Sequence, residues 1–229
     1  MAEKGGMMNK QKQRAFIMGE LVYLRTPDIQ ADVYGGDWNE WFSDMEITKY
    51  LVHGIRPVSK DDQAKLVQSE LENPKTLLFA IIERVSQKHI GVVSLKSIDL
   101  LNKTAEIAIV MGFDNIPGAA LEAMALMTAH AFERMNLNKL YAGQHEGLWK
   151  WVNTLELIGY RIEGYRRQGG IRGLPYDIVL TGITSDDYFN LKKERGGSVL
   201  TENIHQLYQN KRRENMLPNI KTFFDSLYL

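Results

Sequence analysis

Three apolar runs lie between positions 77 and 112, and each predicts a β-strand. Residues 77–83 and 89–97 are apolar runs on either side of the polar segment 84–88, which predicts a β-hairpin. Residues 105–112 form a third run, rich in β-branched side chains and with Glu106 as its only charge. Such a run is typical of a strand that is buried over most of its surface. We expect it to lie antiparallel to the second strand.

A helical pattern replaces the strand pattern after Pro117. Apolar residues recur at three- and four-residue spacing from Gly118 to Met135. Pro117 stands just before this helix, where a missing N–H costs least. Asn136 tolerates the left-handed conformation that often ends helices, so we expect the helix to end there. An extended segment then restarts at Lys139.

Helices are also predicted on both sides of these segments. Residues 37–51 and 59–73 have helical patterns, and Ser59 with Asp62 is a suitable N-cap pair for the second. A further helix at 149–158 should stop at Gly159. The order of elements predicts an α/β fold of the α+β type, with a mixed, mostly antiparallel central sheet flanked by helices.

The chain is expected to have three parts. Residues 1–15 are polar and aperiodic, so we expect a mobile N-terminal segment. Residues 16–191 carry the strand and helix patterns of one domain. Residues 192–229 begin with a charged, glycine-ended stretch and then show two apolar helical faces, which predicts a C-terminal helical extension. This extension should pack on its own domain or on the partner in a homodimer, or else shape the acceptor site.

The junction before Gly118 is a candidate anion site. A strand that runs into a helix leaves backbone N–H groups free at the first turn, where the helix dipole also favours an anion. Ala119 and Ala120 would let phosphate oxygens approach the backbone. A pyrophosphate fits this pattern, although strand, turn and helix with one glycine also occur for reasons of packing alone.

The order of these elements resembles the GNAT acetyltransferase superfamily, in the branch that includes ribosomal-protein N-terminal acetyltransferases and many small-amine acetyltransferases. The similarity is strongest over residues 104–182 and extends over about 19–191. The motifs that carry it are residues 105–107, 118–123, 135–140, 156–160, 162–164 and Asp177, with 21–25 and 41–51 upstream.

The resemblance implies acetyl-CoA as cofactor and direct acyl transfer to an amine. It places the pantetheine arm beside the strand that contains Glu106 and the pyrophosphate at the following helix, and a backbone N–H near Val110 or Met111 would polarise the thioester carbonyl. The implied cofactor-binding residues are Ile109, Val110, Met111, Gly112, Pro117, Gly118, Ala119, Ala120 and Leu121.

The sequence departs from the family pattern at two places. In the phosphate loop, Phe113 and Ile116 stand where the family has a Gln or Arg and the first of two glycines, and only Gly118 matches. In the helix before Gly159, the usual Asn, the Ser or Ala, and the tyrosine that protonates the leaving thiolate are unmatched. A non-catalytic member of the family therefore stays an alternative.

Candidate catalytic residues follow from the chemistry of transfer. An amine with a pKa of about 10 is mostly charged at neutral pH, so a base must take its proton. Glu106 is the first candidate, and its alternative role is that of an outward-facing strand residue. His145 is the second, since imidazole needs little retuning for proton transfer near neutral pH. Its alternative role, which is the more common one for such a histidine, is to cap or hydrogen-bond a loop. Tyr165 is a candidate acid for the thiolate, as is Tyr176.

The acceptor site is expected to use aromatic residues of the first helices and one late acidic residue. Aromatic faces suit sugars and planar amines, although such residues are more often part of a core. Asp177 would hold the acceptor amine or a structural arginine. The candidate substrate-binding residues are Trp38, Trp41, Tyr50 and Asp177.

Composition narrows the classes of function. The 229 residues contain 28 Lys plus Arg and 28 Asp plus Glu, so net charge gives no indication of a nucleic-acid or membrane partner. With no cysteine, the chain has no disulfide framework, thiolate zinc site or cysteine acyl-enzyme, and we expect no metal ion. Neither a signal peptide nor a membrane span is predicted, which favours a cytoplasmic location.

Three functions agree with these features. The first is an acetyl-CoA-dependent N-acetyltransferase that acts on a primary amine of a small molecule such as an amino sugar. The second is the same chemistry on a protein N-terminus. The third is a non-catalytic module that binds acyl-CoA or a partner.

Overall fold

A computed structural model describes residues 14–51, 56–172, 174–201 and 203–228 of the chain. Most of the predicted N-terminal segment, residues 1–13, lies outside the described residues. Within them, eight strands form one mixed sheet in the order β1-β2-β3-β4-β5-β6-β8-β7. The strands are β1 Ile17–Met18, β2 Val22–Arg25, β3 Leu77–Glu83, β4 His89–Asp99, β5 Thr104–Met111, β6 Lys139–His145, β7 Arg161–Arg172 and β8 Leu174–Thr184.

All neighbouring strands pair antiparallel except β5 and β6. The predicted fold class and the hairpin of β3 and β4 are therefore confirmed. Helices cover both faces of the sheet. They are α1 Trp38–Ser43, α2 Met45–Thr48, α3 Lys60–Glu72, α4 Ala119–Glu133, α5 Trp149–Leu155, α6 Ser185–Glu194, α7 Ile204–Gln209 and α8 Leu217–Ser226.

The two largest apolar cores lie on opposite faces of the sheet, because side chains alternate along each strand. On β5, Ile107 and Ile109 belong to the larger core, which contains α4. Val110 points the other way and packs with Trp38 of α1 and Val67 of α3 in the smaller core. The sheet thus separates an α4 face from an α1–α3 face.

The helix predicted over residues 37–51 is wrong in one respect, since it is broken at Asp44. The backbone of Asp44 is extended (φ −84°, ψ 127°), which ends α1. Its carboxylate then accepts hydrogen bonds from the N–H groups of Glu46 and Ile47 and begins α2. An acidic N-cap can stop one helix and start another, and residue spacing alone does not reveal this.

The other predicted helix ends agree with the structure. The Ser59 hydroxyl accepts from the N–H of Asp62 at the start of α3. Gly118 is the N-cap of α4 with φ +91°, and Asn136 follows the helix with φ +55°. At Gly159, φ +95° ends the short 3₁₀ turn that continues α5.

The sheet has an opening between β5 and β6. Only three residue pairs join these strands, Thr104 with Lys139, Ala105 with Leu140 and Glu106 with Tyr141. Beyond them, β5 continues to Met111 and β6 to His145 with no pairing between the two. The strands therefore diverge, and Glu106 lies where the opening begins.

The C-terminal residues pack along the domain. We call residues 203–214 the C-terminal strap. At one end Ile204 lies against Gly118, where an added Cβ would be 3.1 Å from the Ile204 Cδ1. At the other end the buried Asn153 amide donates to the carbonyls of Arg212 and Glu214 at 3.0 and 2.9 Å. The strap thus spans from the N-terminus of α4 to α5.

Candidate active site

A cavity of about 530 Å³ passes through the opening in the sheet. Its walls include residues 107–111 of β5 and 142–145 of β6, which form the two sides of the opening. Ala120 and Met124 of α4 line it on one face of the sheet, and Trp38 and Tyr50 line it on the other. A ligand could therefore reach from one face of the sheet to the other.

The open strand edges are themselves binding groups. β5 pairs with β4 on one side, and β6 pairs with β8, so beyond Glu106 each has one edge without a strand partner. Such an edge presents backbone N–H and C=O groups that can hydrogen-bond an extended ligand. The predicted cofactor residues Ile109, Val110 and Met111 lie on this edge and line the cavity.

The remaining predicted cofactor residues surround the N-terminus of α4. Ala120 lines the cavity, whereas Ala119 and Leu121 are fully buried in the α4 core. Pro117 is exposed, and Gly112 packs so closely on Trp41 that an added Cβ would lie 2.3 Å from that ring. Gly118 faces Leu21 and Ile204 of the strap.

Glu106 faces the α1–α3 side of the opening. Its Cα is paired with Lys96 of β4 and Tyr141 of β6, and its half-buried side chain lines the cavity. On the same side, the Lys96 Nζ donates to the Glu70 Oε1 at 2.8 Å. These three side chains are the only charged groups among the described residues that line the cavity, apart from His145, whose charge depends on its protonation.

His145 lies at the wide end of the opening. Its Nδ1 accepts a hydrogen bond from the N–H of Gly147 at 2.9 Å, and its ring stacks on Tyr176 with centroids 4.1 Å apart. Tyr50 packs on the same ring at 4.7 Å. A neutral imidazole whose Nδ1 accepts must carry its proton on Nε2. In that state Nε2 donates and cannot take a proton.

Two predicted site residues have partners in α8. The Tyr165 hydroxyl donates to Asp225 at 2.7 Å, and this hydrogen bond, with a smaller contribution from burial, raises the pKa of Tyr165. Asp177 pairs with Lys221 at 2.6 Å. Burial raises the pKa of Asp177, but the hydrogen bond from Lys221 and the one from the Gln168 N–H outweigh it, so that the net shift is downward. Neither Tyr165 nor Asp177 lines the cavity.

Trp41 contributes to the site indirectly. Its ring packs on His89 at 4.9 Å and on Trp38 at 6.4 Å, and it does not line the cavity. Burial lowers the pKa of His89 to about 4, although Asp32, 3.7 Å from its Nδ1, acts in the opposite direction. This cluster holds the end of β5 against α1.

Sequence reasoning missed the polar residues Gln63, Glu70, Ser94 and Lys96, which line the α1–α3 side of the cavity. One signal could have indicated Lys96, since it is a charged residue at the end of an otherwise apolar strand. Glu70 and Gln63 give no such signal, because acidic and amide residues on an amphipathic helix usually face the solvent.

A second cavity, of about 630 Å³, lies between α6 and the strap, away from the opening. Arg161 pairs there with Asp187 at 2.7 Å, and Arg212 pairs with Glu156 at 3.3 Å. Four of the five charged side chains that line this cavity thus form ion pairs within the fold, and we assign the candidate site to the cavity in the sheet. Among the described residues, no cluster of three acidic or histidine side chains is placed to hold a metal ion. None of the described helices is long and apolar enough to cross a bilayer.

Residues 22–161 match the model of the acetyltransferase (GNAT) domain family. The chain belongs to the GNAT acetyltransferase family. Enzymes of this family use acetyl-CoA, and the cavity through the sheet, with open strand edges and the small residue Ala120 at the first turn of α4, is suited to such an elongated cofactor. No curated protein matches the chain in sequence.

Solved structures share this fold at low sequence identity. Spermidine N-acetyltransferase from Vibrio cholerae, in complex with CoA and spermine, has a TM-score of 0.66 and 21% identity, and the match covers 74% of this chain and 99% of that one. A GCN5-related N-acetyltransferase from Brucella melitensis has a TM-score of 0.68 and 21% identity, covering 85% and 89%. A GNAT-family acetyltransferase from Bacillus anthracis has a TM-score of 0.62 and 22% identity, covering 74% and 98%.

Proposed function

We propose that this acetyltransferase transfers an acyl group from acetyl-CoA directly to the primary amine of a small molecule such as an amino sugar. The observation that carries the proposal is the cavity through the sheet with Glu106 at the start of the opening. Bound acetyl-CoA supplies the activated thioester. The chain's own residues must align the amine, remove its proton and polarise the carbonyl.

Glu106 is the proposed general base. It lines the cavity on the face opposite α4, where an amine would lie if the cofactor entered from the α4 side. His145 is less suited to this role, because its Nδ1 already accepts a hydrogen bond from Gly147. A carboxylate that faces the reacting amine is expected to contribute about 10²- to 10⁴-fold to the rate.

The open edge of β5 is proposed to bind the cofactor arm, and a backbone N–H at Val110 or Met111 to polarise the carbonyl. The free N–H groups at the start of α4 would hold the pyrophosphate. The segment between them, residues 112–118, has no basic side chain, in agreement with the departure from the family's phosphate loop. Binding there would rely on backbone donors. We assign no proton transfer to Tyr165, because its hydroxyl is engaged by Asp225.

A protein N-terminus is the second candidate acceptor. Against it, α1 and α3 enclose the acceptor side of the cavity with Trp38, Phe42 and Val67, which suits a small molecule better than an extended peptide. The spermidine enzyme from Vibrio cholerae has this fold and, by its name, acetylates a small amine, which supports a small-molecule acceptor here.

The first test is calorimetric titration of acetyl-CoA, with NADH as a mismatched nucleotide. Selective binding followed by thiol release with small amines is the expected result. The second test compares Glu106→Gln with Glu83→Gln, a control at the far end of β3. Turnover should fall by about 10²-fold or more in the first variant and stay unchanged in the second. Binding without thiol release over a broad amine panel would support the non-catalytic alternative.

A further inference from the structure

The acceptor side of the cavity has an uneven set of charges. Glu70 and Glu106 are acidic, and Lys96 is basic. Together they carry one net negative charge when the two carboxylates are ionised and the ammonium is protonated. Of the other polar side chains that line the cavity on this side, Gln63, Ser94 and Tyr50 are uncharged, and His145 adds no charge in the neutral form described above.

Lys96 forms an ion pair with Glu70 and is the cross-strand neighbour of Glu106. Its Nζ is 2.8 Å from the Glu70 Oε1, and its Cα is directly opposite that of Glu106 on the adjacent strand. Cross-strand partners in antiparallel strands project from the same face of the sheet, so Lys96 and Glu106 are neighbours. The side chains of Lys96 and Glu70 are 41% and 23% exposed, which leaves both accessible from the cavity.

This arrangement places an ammonium group of the protein inside the acceptor site. It satisfies Glu70 and leaves one carboxylate, Glu106, for the ammonium of an incoming substrate. A second ammonium on the substrate would meet Lys96, and at short range in a partly desolvated cavity like charges repel strongly. A hydroxyl or amide in the same position would instead find neutral hydrogen-bonding partners in Gln63 and Ser94.

We propose that Lys96 is a specificity-determining residue that restricts the acceptor to amines with a single positive charge and excludes diamines and polyamines. The proposal rests on the proposed acyltransferase function and refines it. The acceptor class is a monoamine whose remaining polar groups are uncharged, as in an amino sugar or an amino alcohol.

Two probes of equal length test the selection by charge. 5-Amino-1-pentanol carries one ammonium, and 1,5-diaminopentane carries two. Their affinity for the CoA-saturated protein is measured by calorimetry, and kcat/KM is measured with acetyl-CoA. The wild-type protein is expected to prefer the amino alcohol at least tenfold in both measurements.

Substitutions then test whether Lys96 is responsible. Lys96→Met keeps most of the side-chain volume and removes the charge, so the preference should shift at least tenfold toward the diamine. Lys96→Arg is the matched control and should retain the wild-type ratio. The double variant Lys96→Met with Glu70→Gln restores one net negative charge and should return the ratio toward that of the wild type.

The outcomes separate this inference from the function on which it rests. A wild-type preference for the diamine, or a ratio that Lys96→Met leaves unchanged, overturns the role of Lys96 even if acyl transfer is observed. Selective binding of the amino alcohol without thiol release would keep the charge selection and refute the catalytic proposal.

Discussion

Buried His89 should make the protein sensitive to acid over a defined pH range. Its ring is enclosed by Trp38 and Trp41, with centroids 5.1 and 4.9 Å away. Burial lowers the pKa of His89 from 6.5 to about 4, even though Asp32 favours the charged form. In the unfolded chain the same ring would titrate near its ordinary value.

The sign and size of the effect follow from this difference. Between pH 6.5 and 4 the unfolded state binds a proton that the folded state does not, so the free energy of unfolding falls as the pH falls. Each pKa unit corresponds to about 1.4 kcal/mol, and the shift of His89 therefore gives a loss of about 3 kcal/mol across the window. The contribution is complete above pH 6.5 and is lost by about pH 4.

Urea unfolding at pH 7, 6, 5 and 4 measures this loss in the wild type and in His89→Phe. Phenylalanine fits an aromatic cluster and cannot titrate. Between pH 6.5 and 4, the free energy of unfolding of the variant should therefore fall by about 3 kcal/mol less than that of the wild type. His130→Phe is the control, since burial also lowers the pKa of the less buried His130 and a smaller difference is expected. Identical pH slopes in the wild type and His89→Phe would refute the reasoning.

Three substitutions should affect stability through contacts described above. Gly118→Ala places a Cβ at φ +91° and 3.1 Å from the strap, and should cost about 1–2 kcal/mol and weaken acetyl-CoA binding. Gly196 also has a positive φ, of +75°, but an added Cβ there would meet nothing within 4 Å. Gly196→Ala is therefore the control, and the difference in free energy of unfolding between the two variants, measured with urea, gives the cost of the contact at Gly118. Asn153→Ala removes two hydrogen bonds to strap carbonyls and should lower the free energy of unfolding by about 1–3 kcal/mol. An unchanged urea midpoint would show that these hydrogen bonds to the strap do not stabilise the fold. Glu122→Gln weakens a carboxylate that accepts three backbone N–H groups at 2.7–2.8 Å, and should cost about 2 kcal/mol in the same assay, whereas the exposed Glu20→Gln should be neutral.

Local patterns predicted much of the fold. Strands β3, β4 and β5 and helices α3 and α4 were expected close to their observed bounds, because each has a regular apolar period and a clear terminal residue. The N-cap Ser59 and the left-handed Asn136 are examples in which residue chemistry fixes a helix end. Asp44 is the counterexample, since its carboxylate forms a cap that interrupts an otherwise continuous helical pattern.

The site was predicted less completely, because it depends on contacts between distant segments. Glu106 and the edge of β5 were named with the help of the family resemblance, and they do line the cavity. The partner of Glu70 is 26 residues away in sequence, and no local period brings Glu70 and Lys96 together. In the same way, the ion pair between Asp177 and Lys221 depends on the path of the C-terminal residues across the domain.

The three residue pairs between β5 and β6 also make this junction a weak connection between the two halves of the sheet. Strands β1 to β5 form one continuous antiparallel meander, and β6 to β8 form a second hydrogen-bonded unit. Within the sheet, only Thr104, Ala105 and Glu106 connect the two units. A ligand that hydrogen-bonds to both open edges would therefore hold the two units together. Amide hydrogen exchange should therefore slow in both β5 and β6 when the cofactor binds. The bound cofactor would complete the connection between the two halves of the sheet as well as take part in the reaction.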